Sequence, residues 1–255
     1  MDSKEQLVAL SIKYEGRWWD ICRALELREE VDTPELEEAI KKLKCKYVTI
    51  IDKAYPQYLR TLPQPPFVLF YYGDLELIRK RENNIAVVGS RNASEIGIKN
   101  TRSIVKGISK KFNIVSGLAL GIDTVAHKSA LEAGGRTIAV LGNGIEYCYP
   151  SENSELYEEL KKNHLVISEY YGRIPPNQFN FPQRNRLIVE LSRATIIGEG
   201  KRMSGSQMTG NLTINMYNQL MCIPSSNIED SICNDFIKEG CPPITCPQDV
   251  FDILD

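Results

Sequence analysis

Residues 85–144 read IAVVGSRNASEIGIKNTRSIVKGISKKFNIVSGLALGIDTVAHKSALEAGGRTIAVLGNG, and the rhythm of this stretch decides the fold. Three short apolar runs, IAVVG (85–89), NIVSG (113–117) and TIAVLG (137–142), are separated by segments long enough to be helices. The same rhythm continues through HLVIS (164–168), ATIIG (194–198) and LMCIP (220–224). Runs this apolar suit strands buried on both faces, and the intervening helices supply crossovers. The expectation is an α/β protein with a mainly parallel sheet and helices on both faces. Nearly every run ends in Gly, Ser or Pro. In an open α/β sheet the ligand lies beyond the carboxyl ends of the strands, so functional positions are expected at those run ends.

Working outward, YVTII (47–51) and FVLFY (67–71) read as two further short strands. The connection between them holds Pro56, Pro63, Pro65 and Pro66, which forbid a helix there. Residues 1–43 are helical in character. Leu7, Leu10, Ile21, Leu25 and Leu27 recur at roughly helical spacing, and Asp32-Thr33-Pro34-Glu35 has the composition of a helix start. This segment holds too little apolar material for a core of its own and is expected to pack on the downstream domain. The division is therefore a small helical N-terminal segment, 1–43, and an α/β domain, 44–255.

The bulk numbers narrow the function classes. The chain has 255 residues, 42% hydrophobic and 25% charged, as in an ordinary globular protein. Lys and Arg number 31 against 33 acids, a net charge of -2, so any anion site must be a local patch. Seven scattered cysteines, no CxxC pair and only two histidines, His127 and His164, argue against structural zinc and for reduced thiols. The start, MDSKEQ, lacks an apolar signal core, and no apolar run approaches the ~18 residues of a membrane span. A cytoplasmic protein without a membrane partner is expected.

Five loops carry candidate chemistry. Gly89-Ser90-Arg91 follows a strand and precedes a helix, so backbone N–H groups and the Arg91 fork can meet a phosphate; a strand-ending glycine with an exposed arginine is the plainer alternative. In Ser116-Gly117-Leu118-Ala119-Leu120-Gly121-Ile122-Asp123, two glycines follow a strand, and Asp123 and His127 share a helix face. That pair is either an acid/base couple or, preferred here, a helix-start Asp beside a hydrogen-bonded His. Gly142-Asn143-Gly144 resembles the start of a dinucleotide fingerprint without its third glycine. Arg173–Arg193 is the most basic stretch, with Arg173, Arg184, Arg186 and Arg193 against the single acid Glu190. Phe179 and Phe181 are interleaved and Asn185 stands between two arginines, a composition that can stack bases and hold phosphates or simply anchor a turn. Finally, Lys201-Arg202-Met203-Ser204-Gly205-Ser206 puts two cations before a helix start. It is either a plain serine N-cap or a phosphate held by Arg202, the hydroxyls and the helix end.

Taken together these stretches resemble one family, DprA/Smf, DNA-processing protein A. The matching segments are VVGSR (87–91), SGLALGIDTVAH (116–127), GGRTIAVLGNGIEYCYPSEN (134–153), ISEY (167–170), NFPQRNRLIVELSRA (180–194) and SGSQMT (204–209), preceded by DKAYPQYLRTLPQPPFVLFYYGDLELI (52–78). The resemblance implies an extended Rossmann-like domain that binds single-stranded DNA and loads RecA onto it, usually as a homodimer, without a catalytic cycle. It implies that Gly89, Ser90 and Arg91 form the phosphate-holding turn, that Ser116, Gly117 and Gly121 line the next loop, and that Arg184, Asn185 and Arg186 support the site. The chain departs from the family pattern at Leu120, where Arg or Lys is usual, at Pro224-Ser225 and at Glu199-Gly200. Because it stops at Asp255, a member without a C-terminal winged-helix domain is expected. Losing one cation at position 120 removes one phosphate contact, which keeps a second possibility open: a receptor or scavenger for a small or cyclic nucleotide in the same pocket. No nucleophile, metal cluster or carboxylate pair can be assembled from these motifs. Neither an enzymatic activity nor a cofactor or metal is expected.

Overall fold

The computed structural model describes every residue of the chain except Asp32 and Ile228. Its centre is one eight-stranded sheet in the order β1-β2-β6-β5-β4-β3-β7-β8. The six apolar runs form β3 (Asn84–Val88), β4 (Asn113–Ser116), β5 (Thr137–Leu141), β6 (Leu165–Ser168), β7 (Ala194–Ile197) and β8 (Gln219–Cys222). These six run parallel to one another. Two upstream strands, β1 (Lys46–Thr49) and β2 (Val68–Gly73), extend the sheet antiparallel beyond β6.

Alternate side chains of the parallel strands point into two apolar layers, as their period of two requires. Ile85, Val87, Ile114, Ala194, Ile196 and Met221 pack on α4 (Glu95–Ile108), α5 (Ile122–Glu132) and α10 (Pro247–Leu254). Ala86, Val88, Val115, Ile138, Val140, Ile197 and Cys222 pack on α7 (Asn180–Glu190) and α9 (Ile232–Lys238). The proline-rich connection contributes Tyr55, Leu59 and Leu62 to this second layer, and Ile78, just after β2, joins them. Its prolines do exclude an α-helix, yet the chain between them is core rather than solvated linker.

The N-terminal segment forms α1 (Ser3–Lys13), α2 (Trp18–Glu26) and α3 (Pro34–Lys41). Leu7 and Val8 share a cluster with Val68 and Phe70 of β2 and with α6 (Ser154–Asn163), and the Trp18 indole donates to the Pro65 carbonyl at 2.9 Å. The helix start expected at Asp32 lies outside the described residues; the next residue, Thr33, caps α3, with Pro34 in its first turn. Among the described residues, no helix is long and apolar enough to cross a membrane.

The winding positions the site. From β3 the chain steps through β4, β5 and β6 on one side, then returns to place β7 and β8 on the other. The strand order therefore reverses between β3 and β7, where a crevice must open between the loops that leave their carboxyl ends.

Candidate nucleotide and nucleic-acid site

A cavity of about 480 Å³ occupies that crevice. Its walls come from the turn after β3 (Gly89, Ser90, Arg91, Asn92), the loop after β4 (Ala119, Asp123), α7 (Phe181, Arg184, Asn185, Ile188) and the start of α8 (Gly205–Asn215), with Lys201, Ser204, Ser206 and Thr209. A smaller cavity of about 90 Å³ shares Arg91, Phe181 and Arg184 and adds Gly117, Leu120, Gly142, Asn143 and Tyr149. Among the described residues, three cations thus face the main cavity, against one carboxylate.

Close backbone approach builds the two glycine turns. A Cβ on Gly89 would lie 2.6 Å from both the Glu199 carbonyl and the Ile122 side chain. Gly121 has φ of +74°, and a Cβ there would fall 2.1 Å from the Ser90 carbonyl. The loops after β3 and β4 are stitched together at that contact, where the Ile122 N–H donates to the Ser90 carbonyl at 3.1 Å. Glycine is required for the left-handed conformation and for the proximity.

Buried polar groups hold these loops in place. Arg184 is buried and donates to the carbonyls of Gly117 (2.8 Å) and Val140 (2.5 Å), while its Nε donates to Asn185 Oδ1 (3.1 Å). Burial pulls its guanidinium down to about 10, still charged at neutral pH. Asp123 accepts from the N–H groups of Gly117 (3.0 Å) and Ala119 (3.4 Å). Burial raises its pKa above the ordinary carboxylate value, against the opposing pull of Arg184 and these backbone donors. The Asn185 amide donates to Thr209 Oγ1 at 3.0 Å, joining α7 to α8.

Arg91 is differently placed. Its guanidinium lies 5.4 Å from the centre of the Phe181 ring, and among the described residues no carboxylate pairs with it. Ser204 caps α8: its hydroxyl accepts from the Gln207 N–H (3.3 Å), donates to the Lys201 carbonyl (2.6 Å) and sits 3.0 Å from Ser206 Oγ.

Five candidate positions do not line either cavity. Ser116 is buried, its hydroxyl donating to the Val87 carbonyl at 2.6 Å. Gly121 works through backbone packing alone. Gly144 packs against the backbone of Gly172 and Ile174. Arg186 turns away from the cavity, where it pairs with buried Glu169 at 2.5 Å. Arg202 is held by Asp235 through two bonds of 2.7 and 2.8 Å and donates to the Glu229 carbonyl. The cation of that loop that faces the cavity is Lys201. The expected free helix start of α4 is also taken: the Glu199 carboxylate accepts from the N–H and the hydroxyl of Ser94, the α4 N-cap. A carboxylate at that helix end satisfies its dipole, whereas α8, capped by the Ser204 hydroxyl, has no acidic residue in its first turn.

The basic stretch 173–193 does not form a patch. Arg173 stacks over Tyr147, Arg193 donates to the Leu254 carbonyl, and Glu190 pairs with Arg81. Asp123 and His127 are not an acid/base couple. His127 Nδ1 meets Thr137 Oγ1 at 2.7 Å, and that hydroxyl donates to the Ile114 carbonyl, so Nδ1 carries the proton. The buried Nε2 is then an acceptor with no hydrogen-bond partner among the described residues, and burial pushes the imidazole down to about 3. Thr209 was not singled out from the sequence, although its spacing of three from Ser206 puts it on the same face of α8.

Comparison with known proteins gives the same outline. The family model for DNA recombination-mediator protein A matches residues 46–255. The DNA processing protein DprA of Streptococcus pneumoniae is 38% identical over 223 residues, which cover 87% of this chain and 78% of that protein. DprA of Bacillus subtilis is 32% identical over 243 residues, covering 92% and 82%. The X-ray structure of S. pneumoniae DprA matches with a TM-score of 0.85 at 31% identity, covering 98% of this chain and 97% of that one. Helicobacter pylori DNA processing protein A, whose structure addresses its single-stranded DNA binding mode, matches with a TM-score of 0.75 at 27% identity, covering 84% and 96%. With a mainly parallel sheet wound as described and this match over most of its length, the chain belongs to the DNA recombination-mediator protein A family, the DprA/Smf proteins.

Proposed function

We propose that this protein binds single-stranded DNA through the cavity between β3 and β7 and acts as a recombination mediator that loads RecA. The observation that carries the reading is the convergence of Arg91, Lys201 and the carboxylate-free start of α8 on one crevice beside the Phe181 ring. A phosphate meets N–H donors and the helix dipole at α8, two accessible cations hold the backbone, and an aromatic face is available to a base. Membership in the family and the likeness to the H. pylori protein support the choice of ligand. RecA loading and a homodimeric state rest on family membership alone. The lining supports a binding role rather than turnover: Asp123, its one carboxylate among the described residues, is already engaged by backbone donors.

A second reading has its own observation. The cavity volume falls in the range of small-ligand sites, and the adjoining space presents Leu120 rather than a cation. The two readings separate in one titration of oligo-dT of increasing length and of cyclic dinucleotides, across a salt series. DNA binding predicts affinity that grows with length, with a log–log salt slope of about -2 if three phosphates are neutralised. Binding of a cyclic dinucleotide with a shallow salt slope, and none of oligo-dT at low salt, sinks the DNA reading.

A further inference from the structure

Three of the seven cysteines converge behind the Lys201–Ser206 loop. Cys222 ends β8, Cys233 lies in α9, and Cys241 follows the turn that leaves α9. The sulfurs of Cys222 and Cys241 are 3.6 Å apart, and Cys233 is a second sulfur neighbour of Cys222. The two chain segments are already bonded side by side: the Cys222 N–H donates to the Pro242 carbonyl at 3.2 Å, and the Ile244 N–H to the Cys222 carbonyl at 2.9 Å. Cys241 is half-buried, whereas Cys222 and Cys233 are buried. Among the described residues no group of three or more His, Cys, Asp or Glu is arranged to hold a metal.

We infer that Cys222 and Cys241 are a peroxide-responsive pair that closes to a disulfide. The accessible Cys241 thiolate attacks hydrogen peroxide; the O–O bond breaks, one water leaves after protonation, and Cys241 becomes a sulfenic acid. The Cys222 sulfur then attacks the Cys241 sulfur, the S–O bond breaks, and the Cys222 proton leaves with the hydroxide as a second water. Two thiols are oxidised by two electrons and one peroxide is reduced to two waters. The contact must shorten from 3.6 Å to about 2.05 Å, a side-chain rotation between segments whose backbones are already neighbours. The hydrogen bond with Cys222 holds the Cys241 thiol below its ordinary range, while hydrogen bonding with Cys233 and Cys241, and then burial, push Cys222 up. That is the order of roles an attacking and a resolving thiol require.

The bridge would tie down the block that supports the α8 start. The Ile232 N–H donates to the Gly200 carbonyl at 3.1 Å, Asp235 holds Arg202, and the Phe236 ring packs against Gly210. All three belong to α9, which lies inside the loop that the bridge closes. The inference does not depend on what the cavity binds.

The test is peroxide treatment of the full chain, alkylation of the remaining thiols and peptide mapping. The expected product is a Cys222–Cys241 cross-link, reversed by dithiothreitol, with a melting temperature raised by about 5 °C. In Cys241→Ser both the cross-link and the rise should vanish, and in Cys222→Ala oxidised Cys241 should persist as sulfenic or sulfinic acid. Exposed Cys246 and half-buried Cys148 are internal controls that should oxidise without bridging. Quantitative alkylation of Cys241 after peroxide, a Cys222–Cys233 or intermolecular bridge, or a melting rise retained in Cys241→Ser would each overturn the inference.

Discussion

Residues 89–91 carry one arginine, and residues 173–193 carry four. By charge count the second region is the stronger anion site, yet the structure distributes its arginines over four separate tasks. Arg184 is buried under the cavity on backbone carbonyls, Arg186 is neutralised by Glu169, Arg173 lies over Tyr147 and Arg193 reaches the Leu254 carbonyl. Arg91, alone in its turn, stands at the cavity against a ring face. A cation already paired with a carboxylate gains little from a phosphate, because the incoming anion must displace the existing partner. Position relative to the strand ends, and not local charge density, separates an arginine that faces the cavity unpaired from a structural one.

The largest expected effect probes the structural side of that contrast. Arg184→Ala removes the donor that satisfies the Gly117 and Val140 carbonyls and leaves the Asp123 carboxylate buried without its nearby positive charge. Truncating one buried charge of this kind costs about 3 kcal/mol or more. Urea unfolding should show this loss. A stability loss under about 1 kcal/mol, the scale of an ordinary hydrogen bond, would mean that water replaces the guanidinium and that Arg184 is not the clamp described.

The next effect falls on the binding side. Arg91→Ala should lower oligo-dT affinity by about 1.5–3 kcal/mol, the scale of a charge-assisted hydrogen bond, with an unchanged unfolding transition. Arg202→Ala is the matched control: its guanidinium is committed to Asp235, so affinity should hold within about 0.5 kcal/mol. Fluorescence anisotropy on both variants checks the pair. Equal losses would erase the distinction between the free and the committed cation.

Much of the architecture was legible because its signal is local. Six short, largely apolar runs, each ending in Gly, Ser or Pro, became six parallel strands, and the loops at their carboxyl ends supply the cavity. What escaped was set by partners far away in sequence. Glu199 caps α4 across 105 residues, and Asp235 captures Arg202 from 33 residues downstream. The antiparallel docking of β2 on β6, and the insertion of Tyr55 and Leu59 into the core, are likewise long-range choices with no periodic trace. Ser116 and Gly121 stood out in the glycine loop after a strand, and their packing changes their role: each shapes the loop from behind without facing the ligand space.

The smallest effect addresses position 120, where a cation is usual in the family and this chain has Leu. Leu120 is 37% exposed and lines the small space beside Arg91, Tyr149 and Phe181. An arginine there would stand at the mouth of the cavity without leaving a buried charge, so Leu120→Arg should fold normally. If a strand of DNA runs past this edge, the variant neutralises one more phosphate. Its log–log salt slope should steepen by about 0.7, and the gain in affinity should be largest at low salt, where the released counterion counts most. If the occupant is a small nucleotide confined to the main cavity, its phosphates are already served by Arg91, Lys201 and the α8 start, and the slope should stay as it is. A variant that binds more weakly at every salt concentration with an unchanged slope would assign Leu120 an apolar contact with a base, and would move the boundary of the binding surface from Arg91 out to Tyr149.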